Sequence, residues 1–154
     1  MPIFLKLDTI KGDAGTTDHV GEIEISSLSY GLSRPVPTGS QGGGYELGPA
    51  SVTEVTMTKK HDRASLPLTR ALLTGSGVGT AQIKFATAPA DGRSIDYLVI
   101  EMLDASVTSV TTSSDGGPPF EQVAFTARQM RWIDQPLGAQ AVSLTYDLTT
   151  GKPL

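Results

Sequence analysis

The sequence predicts a mainly β fold, a barrel or orthogonal sandwich of two sheets built from strands that bend, with one short flanking α-helix. Three observations predict it. Apolar and polar residues alternate in short runs separated by clusters of Gly, Pro, Asp and Ser. Two of the runs change the parity of their apolar residues part-way along, as a strand does when it turns from one sheet into another. Eighteen of the 154 residues are threonine, a type favoured on pleated surfaces. The length suits a single domain over residues 1–154, with no internal repeat.

Residues 3–7, IFLKL, form the first strand, and DTIKGDAGTTDH reads as a loop. In GEIEISSLSYGLS, Ile23 and Ile25 alternate with Glu22 and Glu24, whereas Leu28, Tyr30 and Leu32 are apolar on the opposite parity. The inward face therefore switches near Ser26–Ser27, leaving Ser27, Ser29 and Gly31 on the face turned away from the core. Next comes SRPVPTGSQGGGYELG, about residues 33–49, too long and too rich in Gly and Pro for an ordinary connection, and expected to protrude. ASVTEVTMT is a strand. SLPLTRALLTG is the one helix: Ser65 is expected to cap it, Pro67 suits its first turn, and Gly75 its left-handed end. Leu68, Ala71 and Leu72 give that helix one apolar stripe.

AQIKFAT places Ala81, Ile83 and Phe85 on one face, and APADGR carries the hairpin signal Asp91-Gly92. IDYLVIEML is apolar on both parities and reads as a central strand, linked through TSSDGGPP to EQVAFTARQMRWI. There Val123, Phe125 and Ala127 share one parity while Met130 and Trp132 share the other. The last strand, AVSLTYDL, is expected to turn Val142, Leu144, Tyr146 and Leu148 inward.

Composition excludes several functions. Twelve basic residues against sixteen acidic ones give a net charge of −4, and no Lys/Arg cluster marks a phosphate-binding surface, so nucleic acid is not an expected partner. There is no cysteine, hence no disulfide, thiolate metal site or Cys nucleophile. The opening MPIFLKLDTIKGD lacks the apolar core of a secretory signal, and no apolar run is long enough for a membrane-spanning helix. His19 and His61 are too far apart in sequence to suggest a metal pair and read as solvated or capping residues. Glu22 and Glu24 read as a solvated strand face, and Trp132 and Tyr97 as packing. Gly42-Gly43-Gly44 lacks the Lys-Ser/Thr of a phosphate loop, and no hydrolase or metalloprotease motif occurs. No catalytic, cofactor or metal residue is therefore expected, and the chain does not read as an enzyme.

The ordered segments resemble one family. Asp8, Lys11 and Gly12 match a D-x-x-K-G loop, followed by His19, Glu22 and the aromatic-Gly pair Tyr30-Gly31. Further on come HDRASLPLTRALLTG, YLVIEMLDASVTSVTTSSDGGPPFEQVAFTARQMRW and SLTYDLTTGK. Together these are similar to the haemolysin-coregulated proteins (Hcp), the tube subunits of type VI secretion systems, along essentially the whole chain. Tyr30 stands where many members carry Trp. The resemblance implies a homohexameric ring, stacked into an inner tube that a contractile sheath expels, with effectors carried in the lumen. Its implied partners are further copies of the chain, a spike protein, the sheath and effectors. It implies a cytoplasmic protein secreted on firing without a signal peptide, with no cofactor and no metal. Ser27, Ser29 and Gly31 would face the lumen. Arg34, Pro35, Val36, Pro37, Gln41, Gly42, Gly43, Gly44 and Tyr45 would form an arm touching a neighbouring subunit or ring. A tail-tube subunit of a phage or other contractile machine, or a ligand-binding β-barrel, are the alternatives.

Overall fold

The computed structural model of the chain describes residues 2–36, 47–87, 94–136 and 139–154. In chain order the elements are β1 (Ile3–Leu7), a 3-10 turn (Thr17–His19), β2 (Ile23–Ile25), β3 (Ser27–Ser29), β4 (Leu32–Ser33), β5 (Ser51–Val52), β6 (Val55–Lys60), α1 (Ser65–Thr74), β7 (Gly79–Ala86), β8 (Asp96–Ser113), β9 (Phe120–Thr126), β10 (Gln129–Asp134), β11 (Val142–Asp147) and β12 (Lys152–Pro153).

Two sheets share β8. The larger runs β12-β11-β10-β8-β7-β1-β2, and the smaller joins β3, β6, β9 and the far half of β8. The expected switch at Ser26 is real: β2 pairs with β1 and β3 with β6, while Ser26 N–H still donates to Thr58 O at 2.7 Å. The second switch separates β9 from β10, which pair with the two halves of β8. The expected central strand is twice as long as its apolar run suggested, eighteen residues, because its far half carries Ser and Thr around the buried Val107 and the partly buried Val110. It turns between sheets where Asp104 adopts φ 53°. β2 running into β3, together with the shared β8, encloses one core.

That core is filled by side chains. Ile23, Met57, Ala81, Ile83, Met102 and Phe125 are all fully buried. α1 covers it with Leu68, Ala71 and the partly buried Leu72. Gly75 takes the left-handed conformation at the helix end, φ 71°, and donates to Leu72 O. Ser65 does not cap. The helix starts after Ala64, and the Asp62 carboxylate accepts the Ala64 N–H at 2.9 Å instead.

Three other expectations are corrected. ASVTEVTMT is broken at Thr53–Glu54 into β5 and β6. Leu32 is 59% exposed because it starts the separate β4–β5 ribbon. Val142 and Leu144 are 65% and 57% exposed, although they pair with Asp134 and Trp132 of β10. β11 lies next to the end of the large sheet, so the upper part of its inward face extends past the core. The Asp91-Gly92 hairpin lies outside the described residues.

Candidate functional site

The small sheet presents two chemically opposite faces. Along β6, Val55, Met57 and Lys59 are buried while Thr56 and Thr58 alternate outward. Its neighbours keep the register: Ser27 and Ser29 lie beside Thr58 and Thr56, Gln122 pairs with Thr58, and Thr111 with Gln122. The outward face is thus mainly small hydroxyl and amide side chains, with Ala124 among them and Lys60 and the exposed Phe120 paired at one end, and with no carboxylate among its strand residues. Ser27 and Ser29 are exposed on it, opposite Leu28 and Tyr30, which pack against the core. Gly31 follows at the root of the ribbon, its N–H held by Thr53 Oγ1 at 2.7 Å.

Beside Gly31 the chain enters β4, which pairs with β5 in a separate two-stranded ribbon. Arg34 Nη1 donates to Gly48 O at 3.0 Å and Gly48 N–H to Pro35 O at 2.9 Å, so the segment that follows β4 is tied to the one that precedes β5. Val36 is 59% exposed. Pro37 and Gln41, Gly42, Gly43, Gly44 and Tyr45 lie outside the described residues.

Behind the outward face sits a buried ionic cluster that sequence reasoning missed. Lys59 is 1% exposed and Glu121 4%. Lys59 Nζ reaches Glu121 Oε1 at 2.8 Å, Asp62 Oδ1 at 2.9 Å, Lys60 O at 3.0 Å and Ser65 Oγ at 3.1 Å. Ser65 Oγ–H donates to the same Glu121 oxygen. Parity could have revealed it, because Lys59 shares its side of the strand with Val55 and Met57, and Glu121 with Val123 and Phe125.

Burial pushes the Glu121 carboxyl up, but the hydrogen bonds from Lys59 and Ser65 and the charges of Lys59 and His61 outweigh this and hold it below its usual 4.5. A carboxyl lowered on folding stabilises the native state fully above its unfolded value, and that contribution is lost as pH falls through the folded value. Stability is therefore expected to decline below pH 4.5. Glu121→Gln should flatten that decline in urea titrations at successive pH values; an unchanged slope would assign the acid sensitivity to other carboxyls.

A second cluster overturns the solvated reading of His19 and Glu22. His19 is 2% exposed and stacks on Phe4 with centroids 4.0 Å apart. Its Nδ1 meets Glu22 at 3.1 Å, and its Nε2 meets Ser94 Oγ at 3.1 Å and Asp96 Oδ1 at 3.2 Å. Glu22 also holds Lys84 Nζ at 2.8 Å. Ser94, His19 and Glu22 have the spacing of a hydrolase relay. The Asp96 carboxylate, however, crowds the ring nitrogen that would serve the serine, 3.2 Å away though not hydrogen-bonded to it, and neither described cavity reaches Ser94. The arrangement works as a strut tying the 8–22 loop to β1, β7 and the start of β8. His61, by contrast, is largely exposed, as expected.

The loop motif has its own geometry. Asp8 accepts the Thr80 N–H at 3.0 Å. Gly12 lies so close to the next loop leg that a Cβ would stand 2.6 Å from Glu22 O and 2.7 Å from Ile23 Cα. Near the C-terminus, the Thr149 hydroxyl leads the hydrogen bonds that hold the Asp147 carboxyl below its usual range.

Residues 4–133 match the protein family described as "Type VI secretion system effector, Hcp". The chain belongs to the Hcp family. Its place is in a type VI secretion system, as a tube subunit. The Hcp fold is equally plain in solved structures. One described as a type six secretion system protein superposes with a TM-score of 0.89 at 22% identity, covering 99% of each chain. Hcp1 from Salmonella typhimurium gives 0.83 at 24% identity, over 99% of this chain and 98% of that one. A type VI secretion system effector from Yersinia pestis gives 0.77 at 23% identity, over 94% and 98%. At these identities the likeness is one of fold. No curated protein matches the chain. Among the described residues, no helix is long and apolar enough to cross a membrane.

Proposed function

We propose that residues 1–154 act as one domain that assembles into a homohexameric ring. In this reading the outward face of the small sheet lines the channel, with Ser27, Ser29 and Gly31 toward the lumen. The rings stack into the tube, carry effectors inside it, and are expelled from the cytoplasm by the sheath behind a spike. The role is structural and not catalytic.

The hydroxyl face carries this reading. It is wettable, has little bulk and offers hydrogen bonds without a fixed pocket, which suits a conduit for varied cargo. The filled core argues against the ligand-binding barrel, which needs an apolar cavity. Self-association is supported by exposed Val142 and Leu144 at the far end of the large sheet, since exposed apolar clusters mark contact surfaces. The projection rooted at Arg34, Pro35 and Val36, and continuing through 37 and 41–45, is the arm that meets a neighbouring subunit or ring.

Ser29→Trp tests the lumen assignment. Rings should still form by native mass spectrometry, because the side chain points away from the core, while effector co-purification falls about tenfold or more, the order of one lost binding determinant of 1.4 kcal/mol. Unfolding of the variant would mean that Ser29 is buried and the face wrongly assigned.

A further inference from the structure

The His19 strut holds one oxygen that its hydrogen bonds do not use. Glu22, paired with Lys84, meets His19 Nδ1 with both carboxylate oxygens, at 3.1 and 3.2 Å. An ionised carboxylate only accepts, which places the ring proton on Nδ1 and turns the Nε2 lone pair toward Ser94 and Asp96. Ser94 Oγ stands 3.1 Å from Nε2 and can donate to it. Asp96 Oδ1 stands 3.2 Å away and cannot, because it is itself an acceptor. That oxygen is buried and has no hydrogen-bond partner. A buried carboxylate oxygen facing a second acceptor is costly unless a cation lies between them.

The spacing suits such an ion. Ligand atoms about 2.0–2.1 Å from a tetrahedral metal stand about 3.3 Å from one another, close to the two separations at Nε2. An ion on the lone-pair axis takes its other ligands from beside that axis, so the misalignment that denies Asp96 a hydrogen bond is no obstacle to coordination. The support behind the ring has the matching form. A metal-binding histidine gives its other N–H to a carboxylate, which fixes the tautomer and raises the basicity of the ligating nitrogen. Glu22 occupies that place. Ser94 is held in turn by its N–H, which donates to Asp18 Oδ2 at 3.1 Å, and the Asp96 side chain is 31% exposed, leaving a way in from solvent.

We propose that His19 Nε2, Asp96 Oδ1 and Ser94 Oγ form a site for a divalent transition metal, of the borderline class that mixed imidazole and oxygen ligands favour, with zinc as the representative ion. Among the described residues no group of three His, Asp or Glu side chains is placed to hold a metal. Two ionisable ligands and a hydroxyl therefore bind the ion, water completes its sphere, and binding is reversible. The ion clips the 3-10 turn to the first residue of β8. The ligands are 75 or more positions apart in sequence, and none of them is His61, so the spacing of the two histidines gives no sign of the site.

Tag-free protein titrated with zinc chloride, followed by calorimetry and by thermal unfolding, tests this. The expected result is one zinc per chain and an unfolding midpoint that rises with zinc concentration. Asp96→Asn keeps the shape of the side chain and should weaken binding at least about tenfold, a loss typical even of an outer partner of a ligand. His61→Gln should leave binding unchanged. Absence of zinc binding would overturn the site, as would binding that survives Asp96→Asn undiminished or disappears with His61→Gln, which marks an adventitious ion only. Should Asp96→Asn fail to fold, a zinc-soaked crystal of the unsubstituted protein decides. An anomalous peak among Nε2, Oδ1 and Oγ supports the site, and peaks only elsewhere, or none, overturn it.

Discussion

Lys59→Met is expected to lower the free energy of unfolding by about 3–5 kcal/mol, the usual loss when one member of a buried ion pair is removed. The cost comes from what remains. Glu121 would be left with only Ser65 and the distant His61, at 4.0 Å, to offset its burial. Adding Glu121→Leu to the same chain should recover part of the loss, because it removes the more deeply buried of the two carboxylates that Lys59 serves, while Asp62 and the buried Ser65 hydroxyl still lose a partner. Urea denaturation of the single and double variants measures both values. A single-variant loss below about 1 kcal/mol, the range of a solvent-exposed pair, would show that water reaches the cluster and that its charges are screened.

Gly12→Ala is the second large effect. A methyl group at this position meets the backbone of Glu22 and Ile23, which a rotamer change cannot move aside. Overpacking of this kind typically costs about 1–3 kcal/mol. The 12–21 backbone hydrogen bond, 2.8 Å from Gly12 N to Gly21 O, would have to lengthen, and the His19 strut hangs from the same loop. Gly15 is the control, since nothing lies within 4 Å of a Cβ built there. Gly15→Ala should stay within about 0.5 kcal/mol of the parent, as surface changes do. Equal losses at the two positions would show that the close approach at Gly12 is not the cause.

Alternation made the bent strands legible. A parity change at Ser26 is visible because both sides of the bend bury apolar residues, and the same holds between Phe125 and Met130. The exposed end of β11 was not legible for a related reason. Val142 and Leu144 have the period of a buried face, but period says which side a residue points to and not whether the core extends that far. The Lys59–Glu121 pair joins residues 62 positions apart, and its meaning depends on the register between β6 and β9. Even so, a Lys and a Glu on inward parities of two strands form a readable signal once the question is where their charges go. His19 gave less warning, because its surroundings depend on Phe4 and on Ser94 and Asp96 arriving from two other segments. The outward hydroxyl face was only partly legible: Ser27 and Ser29 stood out by parity, whereas Thr56, Thr58, Thr111 and Gln122 join them only through pairing.

The eighteen-residue β8 bears on what the subunit must withstand when it is driven forward. Where two sheets are joined only by side-chain packing, a shearing load is resisted by weak contacts that can slide. Here one covalent backbone passes through both sheets, and β2 running into β3 provides a second such crossing. With β9 running into β10 as a third crossing, sliding one sheet over the other must bend the backbone at three places and break ladder hydrogen bonds beside each. The corner at Asp104 gives the fold its curvature and, by the same geometry, stiffens the subunit against mechanical shear.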